Sequence, residues 1–286
     1  MATVTSENAE GRLASVPSPE TIQSGGGLAA SAKNALSLIL PILGIMILWE
    51  LTARFSGLPP ALLPPLSDIG AALFDMAASG QLWGDVWATL WRLLQSVFFG
   101  IIAGTILGAL MGYFRLWERI LAVPLNFLLA IPGTALFPLS MLWFGLTELA
   151  ITSILIYEVA LTVMLNTWTG VKTVDPILIR AGRAFGSGGI ALFWRVLVPA
   201  ALPSIISGYR LAFSRCWRIL IVAEMLVSVT AGLGYRIYWG REFFNTDIVY
   251  AALFVVGFVG LLLERVFLRS LEVMTVERWG TMRGQD

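Results

Sequence analysis

Six apolar runs, each near twenty residues long, set what this chain can fold into. They lie at approximately Ala35 to Ala53, Val86 to Tyr113, Leu121 to Phe144, Leu149 to Val171, Ser204 to Val227 and Ile248 to Leu268. A helix rising 1.5 Å per residue needs about 20 apolar residues to cross the hydrocarbon core of a bilayer. Inside that core a helix is the default structure, because it satisfies its own backbone polar groups. Composition agrees: 57% of the residues are hydrophobic and 13% charged, against roughly 25% charged in soluble domains. The expected fold class is an all-α integral membrane protein with about six transmembrane helices.

The expected organisation is a flexible polar tail over residues 1–34, a membrane domain over 35–271 and a short tail over 272–286. The first apolar run begins well into the chain and is long enough to span, so it reads as a retained helix and not a cleaved signal. With the amino terminus inside, twelve Lys and Arg fall on cytoplasmic segments, against Arg54, Arg92, Arg236 and Arg241 outside. That asymmetry favours both termini in the cytoplasm. Residues 172–203 then form a cytoplasmic loop. The stretch LPPALLPPLSDIGAALFDMAASGQLWGD is external, with a short surface helix expected from Ser67, capped by Ser67 or Asp68.

Absences narrow the chemistry. There is no histidine, and Cys216 is the one cysteine, which removes His-centred acid–base catalysis, zinc clusters and an intrachain disulfide. No catalytic residue and no metal site is expected. Neither GxxxxGK[ST] nor a GxGxxG following a strand occurs, so the chain is not expected to bind a nucleotide itself. Its energy must come from a partner or a gradient. The net charge of +1 is spread between apolar runs, which leaves no patch for nucleic acid.

The cytoplasmic loop is more than a turn. Pro176 opens an expected helix, Gly186 to Gly189 break it, and IALFWRVLVP brings the chain back to the membrane at Pro199 and Pro203. Arg180, Ala181, Gly182, Arg183 and Ala184 give the first helix small faces and a charged edge, suited to lying against another protein. An amphipathic helix on lipid headgroups is the competing reading.

These residues carry a resemblance. The loop resembles the signature of the permease subunits of type I ABC importers: Glu-Ala-Ala, a glycine four residues on, and after nine residues Ile-x-Leu-Pro. Here those positions read Arg180, Ala181, Gly182, Gly186, Val196, Val198 and Pro199. The spacing is kept, while the glutamate is Arg180 and the second alanine Gly182. IPGTALFPLSMLWFGLTE and LNTWTGVKTVDP, followed by VAEML, GLGY and NTDIVYA, resemble the nitrate, sulfonate and taurine branch of these permeases from about Ile47 to Leu271. The resemblance implies two permease subunits enclosing a pathway, separate ATPase subunits that hold ATP and Mg, and an extracytoplasmic binding protein that delivers solute. It also implies that the helix through Arg180, Ala181, Gly182, Arg183, Ala184, Phe185 and Gly186, with Pro199 beyond it, couples the permease to the ATPase.

Within the membrane, Gly100, Gly104, Gly108 and Gly112 recur at every fourth position and line one helix face. Helix packing and pathway lining both fit such a stripe. Pro132, Gly133 and Pro138 bend the third run, as a gate or as a fixed kink. Arg215, Arg218, Glu158 and Glu224 are ionisable groups at membrane depth and hence candidates for the pathway. Arg215 and Arg218 share a face. Either they present guanidinium forks to a passing anion, or they pair internally with Glu158 or Glu224. Seven tryptophans near run ends, among them Trp83, Trp87 and Trp91, read as interfacial anchors.

The expected function is a membrane permease working as a homodimer in a bacterial inner membrane. It would import a small anionic solute of the nitrate, sulfonate, bicarbonate or organic-acid class, with ATP hydrolysed by a partner. The alternative is a gradient-driven anion carrier or channel without an ATPase.

Overall fold

The computed structural model describes residues 27–227 and 230–268, with side chains described over 40–227 and 230–265. Residues 1–26 of the first expected tail, the end of the expected membrane domain over 269–271 and the whole second tail over 272–286 lie outside the described part. The chain divides into two units, Met1–Leu51 and Thr52–Asp286. The described part of the first is α1 (Gly27–Phe55), which ends in the second.

The second unit continues with α2 (Leu66–Ala78), α3 (Gln81–Tyr113) and α4 (Arg115–Leu129). A 3-10 turn, Gly133–Leu136, leads into α5 (Phe137–Phe144), followed by α6 (Glu148–Lys172) and α7 (Pro176–Ala184). Next come α8 (Gly189–Leu192), a π-helical turn (Phe193–Leu197), α9 (Val198–Val227), α10 (Leu233–Glu242) and α11 (Thr246–Leu262). Among the described residues, Gln81–Tyr113, Glu148–Lys172, Gly189–Val227 and Thr246–Arg265 are each long and apolar enough to cross a membrane. Arg115–Leu129 and Gly133–Phe144 qualify only as a pair, bent by 87°.

Three expectations change in detail. The third apolar run is not one kinked helix but two helices meeting at an elbow. Proline at 132 has no N–H to continue α4 and disfavours a helical Ile131; Pro132 itself is extended, at φ −61 and ψ 130. The loop's return piece is not separate from the fifth span, because α8, the π turn and α9 form one continuous helix from Gly189 to Val227. Its wider π spacing falls just before Pro199, which has no N–H to give. Finally, α2 starts after Pro65 with no side-chain cap. Ser67 instead donates to Asp68 and accepts from Arg54, both at 3.1 Å.

Helix α6 is the centre of the bundle. It packs on α3 along one side and on α9 along another, while α10 lies across α9 and α11, and α11 meets α2. Its buried face is Ile151, Ile154, Leu155, Val159, Val163 and Val171. Large apolar residues of α11 such as Phe254 and Phe258 stay exposed, as expected where lipid and not water is the solvent.

Candidate functional site

The loop that follows α6 holds the short helix expected to act as a lever. Asp175 caps α7, its carboxylate accepting from the Ile177 amide at 2.7 Å, and Pro176 takes the first position, where its missing N–H costs nothing. At the other end Gly186 sits at φ +79. The Gly186 amide donates to the Arg183 carbonyl and that of Ser187 to the Gly182 carbonyl, closing the helix with a left-handed glycine. Gly182 faces the returning helix: a Cβ there would lie 2.8 Å from Val196 and 3.0 Å from Leu192. No residue of α7 is buried. Arg180, Ala181, Arg183, Ala184 and Phe185 are exposed, Phe185 at 89%. Pro199 lies at the base, just inside α9.

The glycine stripe seats α3 on α6. A Cβ on Gly100 would lie 2.6 Å from Val159, on Gly104 2.5 Å from the Ala160 carbonyl, on Gly108 2.6 Å from the Met164 carbonyl, and on Gly112 2.6 Å from Val171. All four face a helix of the same protomer.

Towards the other end of α3 the same face becomes polar. Asp85, Thr89, Arg92 and Ser96 follow at helical spacing, and all are buried. Arg92, which the charge count placed outside, lies within the bundle. It grips Glu148 with two donors, Nε at 2.5 Å and Nη2 at 2.6 Å, and gives Nη1 to Glu224 at 2.6 Å and to the Ala231 carbonyl at 2.7 Å. Glu224, with 0% exposure, also accepts from Thr89 at 2.9 Å and from the Gly234 amide at 2.9 Å. Asp85 accepts from the Gly232 amide at 3.0 Å and from Arg236 at 2.8 Å, and Thr89 from the Leu233 amide at 2.9 Å. The cluster thus satisfies the free amides at the start of α10, where negative groups are favoured. Glu224 is consumed by these bonds within one protomer.

The other candidates sit apart from this network. Glu158, half-buried on α6, accepts from the Gly133 amide at 2.6 Å. Pro132 precedes that glycine at the elbow, and Pro138 occupies an early position of α5 that tolerates it. Arg215 and Arg218 are exposed on α9 beside Leu211, Val222 and Leu226. Neither forms an ion pair with Glu158 or Glu224, so the internal pairing is not made. Among the described residues Arg218 donates only to the Ser214 carbonyl of its own helix, at 3.2 Å. The sequence reading missed Asp85, Thr89 and Arg92, although their 85, 89, 92, 96 spacing marks one helix face.

Spanning helices around a central α6, with a capped and exposed short helix following it, fit a membrane transport subunit. Comparison with known proteins gives the family. The profile described as binding-protein-dependent transport system inner membrane component matches residues 96–271. The aliphatic sulfonates transport permease protein SsuC of Escherichia coli (strain K12) is 37% identical over 237 residues, covering 80% of this chain and 89% of the relative. The riboflavin transport system permease protein RibX of Chloroflexus aurantiacus is 32% identical over 244 residues, covering 82% and 90%. A chain from an inward-facing structure of the MetNI methionine ABC transporter matches the fold with a TM-score of 0.58 at 20% identity, over 68% of this chain and 98% of that one. The chain belongs to the binding-protein-dependent transport system inner membrane component family. It is the multi-pass permease subunit of an ABC importer, similar to permeases named for sulfonates and taurine, a transport component whose ATPase is a separate subunit and which works with a binding protein. The gradient-driven alternative is thereby set aside.

Proposed function

We propose that two copies of this chain enclose a pathway for a small anionic solute, delivered by the binding protein and driven by ATP and Mg bound on the ATPase, which seats on α7. The observation that carries this reading is the pair Arg215 and Arg218, exposed at membrane depth on α9 without a carboxylate partner among the described residues. Charged side chains in a bilayer face a bundle interior or a wet cavity, because lipid exposure is costly. In the single protomer these two face neither, so a second copy supplies the missing wall. Guanidinium forks there suit a sulfonate or carboxylate. The sulfonate and taurine permeases among the relatives support that class. Both termini then lie in the cytoplasm of a bacterial cell, on the side of α7, as the distribution of Lys and Arg favours.

The test is reconstitution of the purified permease with its ATPase and binding protein in liposomes, followed by uptake of labelled taurine, ethanesulfonate and a neutral solute of similar size. Accumulation of an anion or zwitterion that depends on internal or external ATP and falls with Arg218→Ala is expected. Equal uptake of the neutral solute, or uptake indifferent to Arg218, would overturn the anion reading. A purified complex holding one permease copy would overturn the pairing.

A further inference from the structure

The elbow between α4 and α5 is held by two consecutive residues of α6. The Tyr157 hydroxyl donates to the Leu128 carbonyl at 2.9 Å, on the last turn of α4. Glu158 accepts from the Gly133 amide at 2.6 Å, the first residue of the 3-10 turn that becomes α5. Between these bonds the chain turns by 87°. A helix broken at membrane depth frees backbone groups that lipid cannot satisfy, so neighbours must do so. Here one neighbour does it on both sides of the break.

Glycine leaves room for the reach. A Cβ on Gly133 would lie 2.6 Å from Glu158 Cγ and would collide with its carboxyl group. The far part of α5 is tied to the same helix, because the Ser140 hydroxyl donates to the Ala150 carbonyl at 2.8 Å and meets the Ser153 hydroxyl at 3.0 Å. On its other side α5 exposes Leu142 and Trp143. The elbow arm is therefore fastened to α6 along its length, touches α9 as well, and leaves Leu142 and Trp143 uncovered.

Helix α6 itself runs unbroken from Glu148 to Lys172, and only Thr173–Asp175 separates it from α7. At 1.5 Å per residue, Glu158 stands about 20 Å along the axis from the end that carries the lever. We infer that Glu158 is the positioning residue through which α6 carries displacement of α7 to the elbow at Pro132 and Gly133. This rests on the proposed seating of the ATPase on α7. The device needs an oxygen acceptor at position 158 and an uncovered Cα at position 133. A carboxylate charge is not required.

Contiguity alone does not demonstrate coupling, so the test watches both ends. With Cys216→Ala as background, a bimane label is placed at the exposed Ala184→Cys on the lever, or at the exposed Ala135→Cys on the elbow. The permease–ATPase complex is then trapped with ATP and vanadate, and bimane emission is read. Both labels shift in the otherwise unaltered chain. In Glu158→Leu the lever label shifts as before, and the elbow shift falls at least fivefold. In Glu158→Gln, which keeps an acceptor, both shifts remain. Gly133→Ala reproduces the Leu result, and adding it to Glu158→Leu brings no further loss, because both act on one bond.

An elbow shift surviving Glu158→Leu overturns the inference, as does a Gln variant as defective as Leu. If Glu158→Leu fails to assemble, Gly133→Ala and the milder Tyr157→Phe decide the matter by the same two labels. A lever label that never responds sinks the ATPase seating instead, which keeps the two failures distinct.

Discussion

Arg92 on α3 and Glu224 on α9 meet at 2.6 Å, 132 residues apart in the chain, and both are buried. Neither is bonded to the other alone: Glu148 takes Nε and Nη2 of the guanidinium, the Ala231 carbonyl also accepts from Nη1, and Thr89 and the Gly234 amide hold the carboxylate. Such a pair is weak evidence of net stability, but losing one member leaves a buried charge uncompensated, at a cost of about 3–5 kcal/mol. Arg92→Met and Glu224→Gln are each expected to lower the unfolding temperature of the detergent-purified protein clearly. The double variant should lose less than the sum of the two. Thermal unfolding of the four proteins measures this, and single variants as stable as the parent would refute it.

The glycine stripe makes a prediction with an internal control. At Gly104 a methyl group meets a carbonyl oxygen at 2.5 Å, while at Gly70 on α2 nothing lies within 4 Å. Overpacking a close interface costs about 1–3 kcal/mol, whereas replacing an unhindered helical glycine by alanine gains roughly 0.5–1 kcal/mol. Gly104→Ala should therefore unfold earlier than the parent and Gly70→Ala later. Gly104→Leu should leave little monodisperse protein on size-exclusion chromatography. Equal tolerance at the two positions would show that α3 and α6 are not in this contact.

Among the described residues Arg218 bonds only the Ser214 carbonyl of its own helix, which separates its predicted phenotype from that of Arg92. Arg218→Ala should leave the unfolding temperature and ATPase co-purification unchanged while uptake of a labelled sulfonate drops at least tenfold. Arg218→Lys keeps the charge without the planar fork and should fall between them. A stable complex with normal uptake in the Ala variant would remove Arg218 from the pathway.

How much of this was legible beforehand depended on the range of the interaction. The lever is local chemistry: Pro176 and Asp175 start α7, Gly186 ends it, and each acts within a few residues, so the loop could be read directly. The stripe at Gly100, Gly104, Gly108 and Gly112 was visible as a period of four, although not which helix it met. The elbow was half legible, because Pro132 marks a break but hydropathy carries no direction, and the 87° turn depends on Tyr157 and Glu158 from another helix. Arg92 was misplaced for the same reason. A charge count assigns arginines by nearness to a run's end, while the partners that draw Arg92 inward, Glu148 and Glu224, are 56 and 132 residues away.

The lever's charge sets the character of the surface it fits. Around α7 the acids are committed, Glu118 to Lys172 and Asp175 to the helix cap, while Arg180, Arg183 and Arg195 are exposed. A partner cleft that accepts Arg180 should present carboxylates around a pocket for Phe185. Arg180→Glu is therefore expected to weaken capture of the cognate ATPase about three- to tenfold at 0.1 M salt, or roughly 0.7–1.4 kcal/mol. Near 1 M salt, where the screening length shrinks from about 10 to 3 Å, the variant and the parent should converge. Phe185→Ala should weaken capture equally at both salt concentrations, because it removes apolar contact and not charge. Pull-down titrations of the detergent-solubilised pair distinguish the two, and an Arg180→Glu protein that binds as tightly as the parent at low salt would show that the cleft is not acidic.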